Sequence, residues 1–163
     1  MRALLLALVL WPMVGLATDP PAINRYTLAW PVETIGEMEI QVLKTPDGHA
    51  IRLFQSKARA EMGTFSRGET AMLAEVLAEA DAYKRRLTKE DRRAKTVYLG
   101  PGCTVTFHRP IDGEFTIYVK HGNAPLAAHF NLQQTATLQR ILLRAPELFD
   151  HLDTFSPAEG SHS

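Results

Sequence analysis

A single cysteine, Cys103, stands among 163 residues, so the chain cannot close an internal disulfide. The common sequence marks of catalysis are missing too. There is no HExxH or CxxC-type spacing for a metal, no GxSxG nucleophile turn, no P-loop and no GxGxxG. Gly100-Pro101-Gly102 is a turn too short to cradle a phosphate. Net charge is lacking as well: 18 Lys and Arg stand against 18 Asp and Glu. A near-neutral surface has no general electrostatic attraction for nucleic acid or anionic lipid, so only a local patch could supply one. These absences make a non-enzymatic binding role the expectation, with no cofactor. A hydrolase whose site is assembled from residues far apart in sequence is a weaker alternative.

Long hydrophobic runs are absent. Ala3 to Val14 is apolar but broken by Pro12, and it falls short of the roughly 20 residues that cross a bilayer. With Arg2 before it and Gly15-Leu16-Ala17 after it, residues 1–17 have the three parts of a secretory signal peptide, cut after Ala17. No cysteine follows to carry a lipid. The expected product is a periplasmic or secreted protein with no transmembrane segment, beginning at Thr18. Arg2 leaves with the signal, so 17 basic side chains face 18 acidic ones. Residues 18–24, with Pro20 and Pro21, read as a flexible segment, 25–155 as one domain, and 156–163 as a disordered tail.

What the chain does have is a repeat. Displaced by 65 residues, Asp47-Gly48 falls on Asp112-Gly113, Phe65 on Phe130, Thr70-Ala71 on Thr135-Ala136, Leu73 on Leu138 and Leu77 on Leu142, without a gap. The repeats span about 29–87 and 94–152. In each, alternating apolar residues predict strands. Tyr26 to Trp30 is a first strand; Met38 to Thr45 and Ile51 to Gln55 form a hairpin about Pro46-Asp47-Gly48. Cys103 to Arg109 and Phe115 to Val119 form the second hairpin, with Val97 to Leu99 a short strand before it. Phe115, Ile117 and Val119 alternate out of phase with Ile51 and Leu53 at this offset, which demands a bulge or a one-residue shift. Residues 59–64 and 124–129 fit a fourth strand or a loop.

Each repeat then enters a helix through a capping box, Ser66 with Glu69 and Asn131 with Gln134. Met72, Leu73, Val76, Leu77, Ala80 and Tyr83 make one apolar stripe, and Leu138, Ile141 and Leu142 the other, with Pro146 ending or kinking the second helix. The fold class is therefore α+β: two tandem ββ(β)βα repeats about an internal pseudo-twofold, antiparallel sheets packed with two helices. Phe65 and Phe130, just before the caps, fit packing, and Cys103, which opens an apolar series as Met38 does, fits a buried hydrophobe. Asp47 and Asp112 precede glycine, as tight turns require.

Candidate site residues are few. Residues 84–95 join the repeats and carry seven cations, Lys84, Arg85, Arg86, Lys89, Arg92, Arg93 and Lys95, against two acids. Such a stretch suits phosphates or an acidic protein, and equally a solvated helix end. His121 and His129 flank the last turn of the second repeat and are weak metal candidates. Strands then a helix, twice, over residues 30–152 resembles in outline the Whirly and Pur-type single-stranded nucleic-acid binders, with no family motif matched residue by residue. That resemblance implies a stacking surface, for which Tyr118 and Lys120 are the best candidates. Export places the chain away from most single-stranded targets. The leading expectation is thus an accessory protein of the periplasm that recognises a protein or envelope component, the alternative a single-stranded nucleic-acid binder. Whether copies associate further through an exposed edge strand is left open.

Overall fold

A computed structural model describes residues 27–87, 93–122, 124 and 126–154. The predicted signal peptide, the 18–24 segment and the 156–163 tail lie outside these residues. Two four-stranded antiparallel meanders, each followed by helices, make up the fold. The first sheet runs β1 (Leu28–Ile35), β2 (Met38–Thr45), β3 (Gly48–Gln55), β4 (Ala60–Ser66) and feeds α1 (Arg67–Ala78) and α2 (Ala80–Arg86). The second runs β5 (Ala94–Gly100), β6 (Cys103–His108), β7 (Thr116–His121), β8 (Ala128–Phe130) and feeds α3 (Leu132–Leu143) and α4 (Ala145–Thr154). The doubtful fourth segment is a strand in both repeats.

The one-residue shift is real, and the register locates it. Ile40 pairs with Leu53, and Val105 with Val119, so the third strands correspond at an offset of 66 rather than 65. The extra residue sits in the second hairpin: Thr45 pairs with Gly48 across a tight turn, whereas the β6–β7 ladder stops at His108 and Thr116. Phe115, predicted to open the strand, lies just outside β7 but is buried. The offset returns to 65 by β8, where Ile117 meets Phe130 as Ile51 meets Phe65. In β4 a bulge between Leu53 and Phe54 accommodates Met62, which is buried.

Three expectations need correction. The first strand is longer than predicted, from Leu28 to Ile35; Pro31 is tolerated because β1 is an edge strand with a bulge between Pro31 and Glu33. Tyr26 lies outside the described residues. The first long helix is really two, broken at Glu79; the second breaks at Arg144, which corresponds at 65, where Pro146 was expected to end or kink it. Pro146 explains the second break by sitting in the first turn of α4, but no proline marks the first. Met72 is exposed rather than part of the apolar stripe, since Leu73, Ala74 and Leu77 supply the buried face. Both capping boxes form as read: Ser66 with Glu69, and Asn131 with Gln134.

The helices cross over. α2 of the first repeat packs on β6 of the second, and α4 of the second on β2 of the first, while α1 and α3 pack together between the sheets. Tyr83 stacks on Phe107 at 4.3 Å, and Arg109 donates to the backbone oxygens of Lys84 and Leu87. In the corresponding place, Lys44 and His49 meet Asp153 at 3.1 and 3.0 Å and His49 stacks on Phe149. The buried His49 Nε2 meets Asp153 out of line for a hydrogen bond, so its contact is the weaker of the two. Lys44 chiefly, helped by His49, holds the Asp153 carboxyl below its usual range. Inner-facing Ile40, Ile51, Phe65, Val105, Phe107 and Phe130 join one continuous core across both repeats.

Candidate functional site

Because side chains alternate along a strand, the core face of the second sheet fixes what its other face displays. Cys103, Val105, Phe107, Ile117, Val119 and Phe130 are buried. The residues between them therefore point outward: Thr104, Thr106 and His108 on β6, Thr116, Tyr118 and Lys120 on β7, His129 on β8, and Thr96 and Tyr98 on β5. Tyr118 lies at the middle of this face, 6.1 Å from the His108 ring and 6.4 Å from that of His129, centroid to centroid. Tyr98 is 77% exposed. No outward position of these four strands carries a carboxylate. Thr96 and Thr106 share a hydrogen bond of 3.0 Å.

The corresponding face of the first sheet is quite different. Gln41 is held by Arg52, which also lies over the Phe54 ring at 5.6 Å. Glu39 accepts from Gln41 and Ser56, and those hydrogen bonds keep its carboxyl below the usual range. Glu61 accepts from Thr64. The polar groups of this face satisfy one another, while those of the second sheet face outward with few partners of their own.

The structure divides the basic stretch. Lys84, Arg85 and Arg86 form the last turn of α2, Arg93 is in a bend, and Lys95 is on β5. Lys89 and Arg92 lie outside the described residues. Because α2 rests on the core face of the second sheet through Tyr83 and Phe107, its cations lie on the side opposite Tyr118 and Lys120. Lys95 pairs with Phe107, so it too shares the core-face parity at the sheet edge. Of the residues singled out from sequence, Tyr118, Lys120 and His129 share the outer face. Tyr98 and His108 complete it. The alternation at Thr104-Thr106-His108 and Thr96-Tyr98 carried that signal, once the inner parity was known.

His121 and His129 do not converge. His121 has the inner parity of Ile117 and Val119, whereas His129 pairs with Tyr118 on the outer face. Among the described residues no group of three or more His, Cys, Asp or Glu could hold a metal ion. His121 instead places Nε2 3.2 Å from Glu69 Oε1 and packs edge-on against Phe65 at 4.8 Å. Burial works to raise the Glu69 carboxyl, but hydrogen bonds from Ser66 and His121 outweigh it and hold the group below its usual value. Cys103, the cross-strand partner of His121, is fully buried. Burial, then the Glu69 charge, pushes its thiol up to about 11. A thiol so protonated is a poor nucleophile.

Phe65 and Phe130 are buried in the core, and Asp47 and Asp112 are exposed at hairpin tips. Among the described residues no helix is long and apolar enough to cross a membrane. No family model, curated protein or solved structure matches the chain.

Proposed function

We propose that the chain is an exported, non-enzymatic accessory protein of the periplasm that recognises an anionic component of the cell envelope through the outer face of the second sheet. The observation that carries this reading is the contrast between corresponding faces. One satisfies its own polar groups; the other presents Tyr98, Tyr118, His108, His129 and Lys120 with no carboxylate. Conformationally stiff aromatic side chains and a cation on strands make a surface that loses little entropy on binding. The test is cosedimentation of the mature protein, from Thr18, with isolated envelopes at low and high salt. Tyr118→Ala with Lys120→Glu should abolish binding that Arg52→Ala leaves intact. Equal binding by the two variants, or none by the parent, would rule the reading out.

A second reading, single-stranded nucleic-acid binding, is favoured by one observation, the row His108–Tyr118–His129 beside Lys120. Rings at such intervals offer platforms for successive bases, and Lys120 a phosphate contact. The cations of α2 lie on the other side of the sheet and cannot extend the same track. Fluorescence anisotropy with single-stranded oligonucleotides at two salt concentrations separates the readings: tight, salt-sensitive binding supports this one, and no binding retires it.

A further inference from the structure

The repeats meet at two junctions built from corresponding residues, and only one is closed. At the closed junction the ends of β6 and β7 meet β4 and the start of α1. There His121 lies on Phe65 and reaches Glu69. Gly63 makes this approach workable: a Cβ at that position would stand 2.8 Å from His121 Cβ. At the other junction the ends of β2 and β3 face β8 and the start of α3. Met38 stands where the first has Cys103, Gln55 where it has His121, Gln134 where it has Glu69, and Ala128 where it has Gly63. Ala128 carries the methyl that Gly63 lacks, and β8 approaches β3 less closely than β4 approaches β7.

A cavity of about 350 Å³ opens at this second junction. Met38 and Met62 form an apolar floor, and Glu37, Gln55, His129 and Gln134 stand around it. The two glutamines do not pair with each other. Gln134 Oε1 is spent accepting from the Asn131 amide at 2.9 Å, which leaves its NH2 group for a ligand. Gly36, at φ 63°, presses so close that a Cβ there would meet Gln134 Nε2 at 2.7 Å, which fixes that amide at the wall. Gln55 leans to Glu37 at 3.4 Å, and Glu37 also pairs with Lys57.

We propose that this open junction is a binding site for a small uncharged molecule with an apolar body and an amide-like polar end. Methionine side chains adapt to varied apolar shapes. The Gln134 NH2 group donates to a carbonyl, and the Glu37 carboxylate, which Lys57 also meets, accepts from an N–H. The volume suits a compact ligand, at the low end for such sites. The site adjoins the outer face of the second sheet, sharing His129 with it, but does not rest on the reading of that face.

The test is a titration of the mature chain, with its methionine methyls labelled, by benzamide and by benzoate, followed by NMR. Cleavage after Ala17 would leave three methionines, Met38 and Met62 on the cavity floor and the exposed Met72 on α1 as an internal reference. Benzamide should shift Met38 and Met62 saturably and leave Met72 unmoved. Benzoate should bind more weakly, because its carboxylate has no N–H to donate to Glu37. Ala127→Phe, which fills the cavity, should abolish the shifts. Gln134→Glu keeps the capping box as Glu69 does and should weaken benzamide severalfold even if the larger substitution unfolds the chain. Equal or non-saturating shifts at all three methyls would overturn the proposal, as would benzamide binding that Gln134→Glu leaves unchanged.

Discussion

The outer faces of the two sheets hold corresponding positions in the repeats and have opposite chemistry. On the first, Arg52, Gln41, Glu39 and Phe54 bind one another. On the second, Tyr118, His108, His129 and Lys120 turn to solvent with no acid among them. The junctions diverge in the same way, one closed by His121 and Glu69, the other lined by Gln55 and Gln134 around a cavity. The lesson is that duplicated architecture frees one copy to hold the fold while the other displays groups the fold does not use.

The largest effect expected from breaking this comparison is at Gly63. Gly63→Ala forces a methyl against His121 Cβ, so it should cost about 1–3 kcal/mol, as overpacking does. Chemical denaturation gives the value, and a stability equal to the parent would mean the junction is not tightly packed. The reciprocal change, Ala128→Gly, removes a buried methyl and adds backbone freedom. It should cost about 1.5 kcal/mol from those two sources together, and it should let β3 close on β8, weakening benzamide binding.

Smaller is Glu69→Gln, which keeps an N-cap acceptor as Gln134 does but removes the charge facing His121. About 0.5–1 kcal/mol is expected at neutral pH. The folded-state Glu69 value lies below its ordinary 4.5. Its contribution is therefore fully present above the unfolded-state value and is lost as pH falls through the lower folded-state value. Parent and variant should thus converge in stability once the pH falls below that folded-state value; a gap that persists in strong acid would exclude the charge as its cause. The smallest stability effect belongs to Tyr118→Ala on the open face, within about 0.5 kcal/mol. A melting temperature that falls markedly would show that Tyr118 holds the fold and is not a free contact surface.

Much of the fold was legible because it is local. Alternation marked β2, β3, β6 and β7, and the boxes Ser66–Glu69 and Asn131–Gln134 fixed both helix starts. The phase conflict at Phe115 to Val119 announced the shift that the register confirms. The break at Glu79 was not legible, since no proline or glycine marks it and its position follows from how α2 seats on β6. Met72 failed for the same kind of reason: helical periodicity cannot say which edge of a stripe the neighbouring sheet will cover.

Two things followed from the sequence alone: that there are two repeats, and where each turns from strand to helix. Both depend on contacts within a few residues and on an offset that can be counted. Only the tertiary structure decided that each repeat's last helix covers the other's sheet, that the cations of α2 lie across the sheet from Tyr118, and that one junction closes while the other stays open. Those outcomes turn on contacts between residues tens of positions apart, such as the methyl present at Ala128 and missing at Gly63. No periodicity along the chain encodes how closely two sheets may approach.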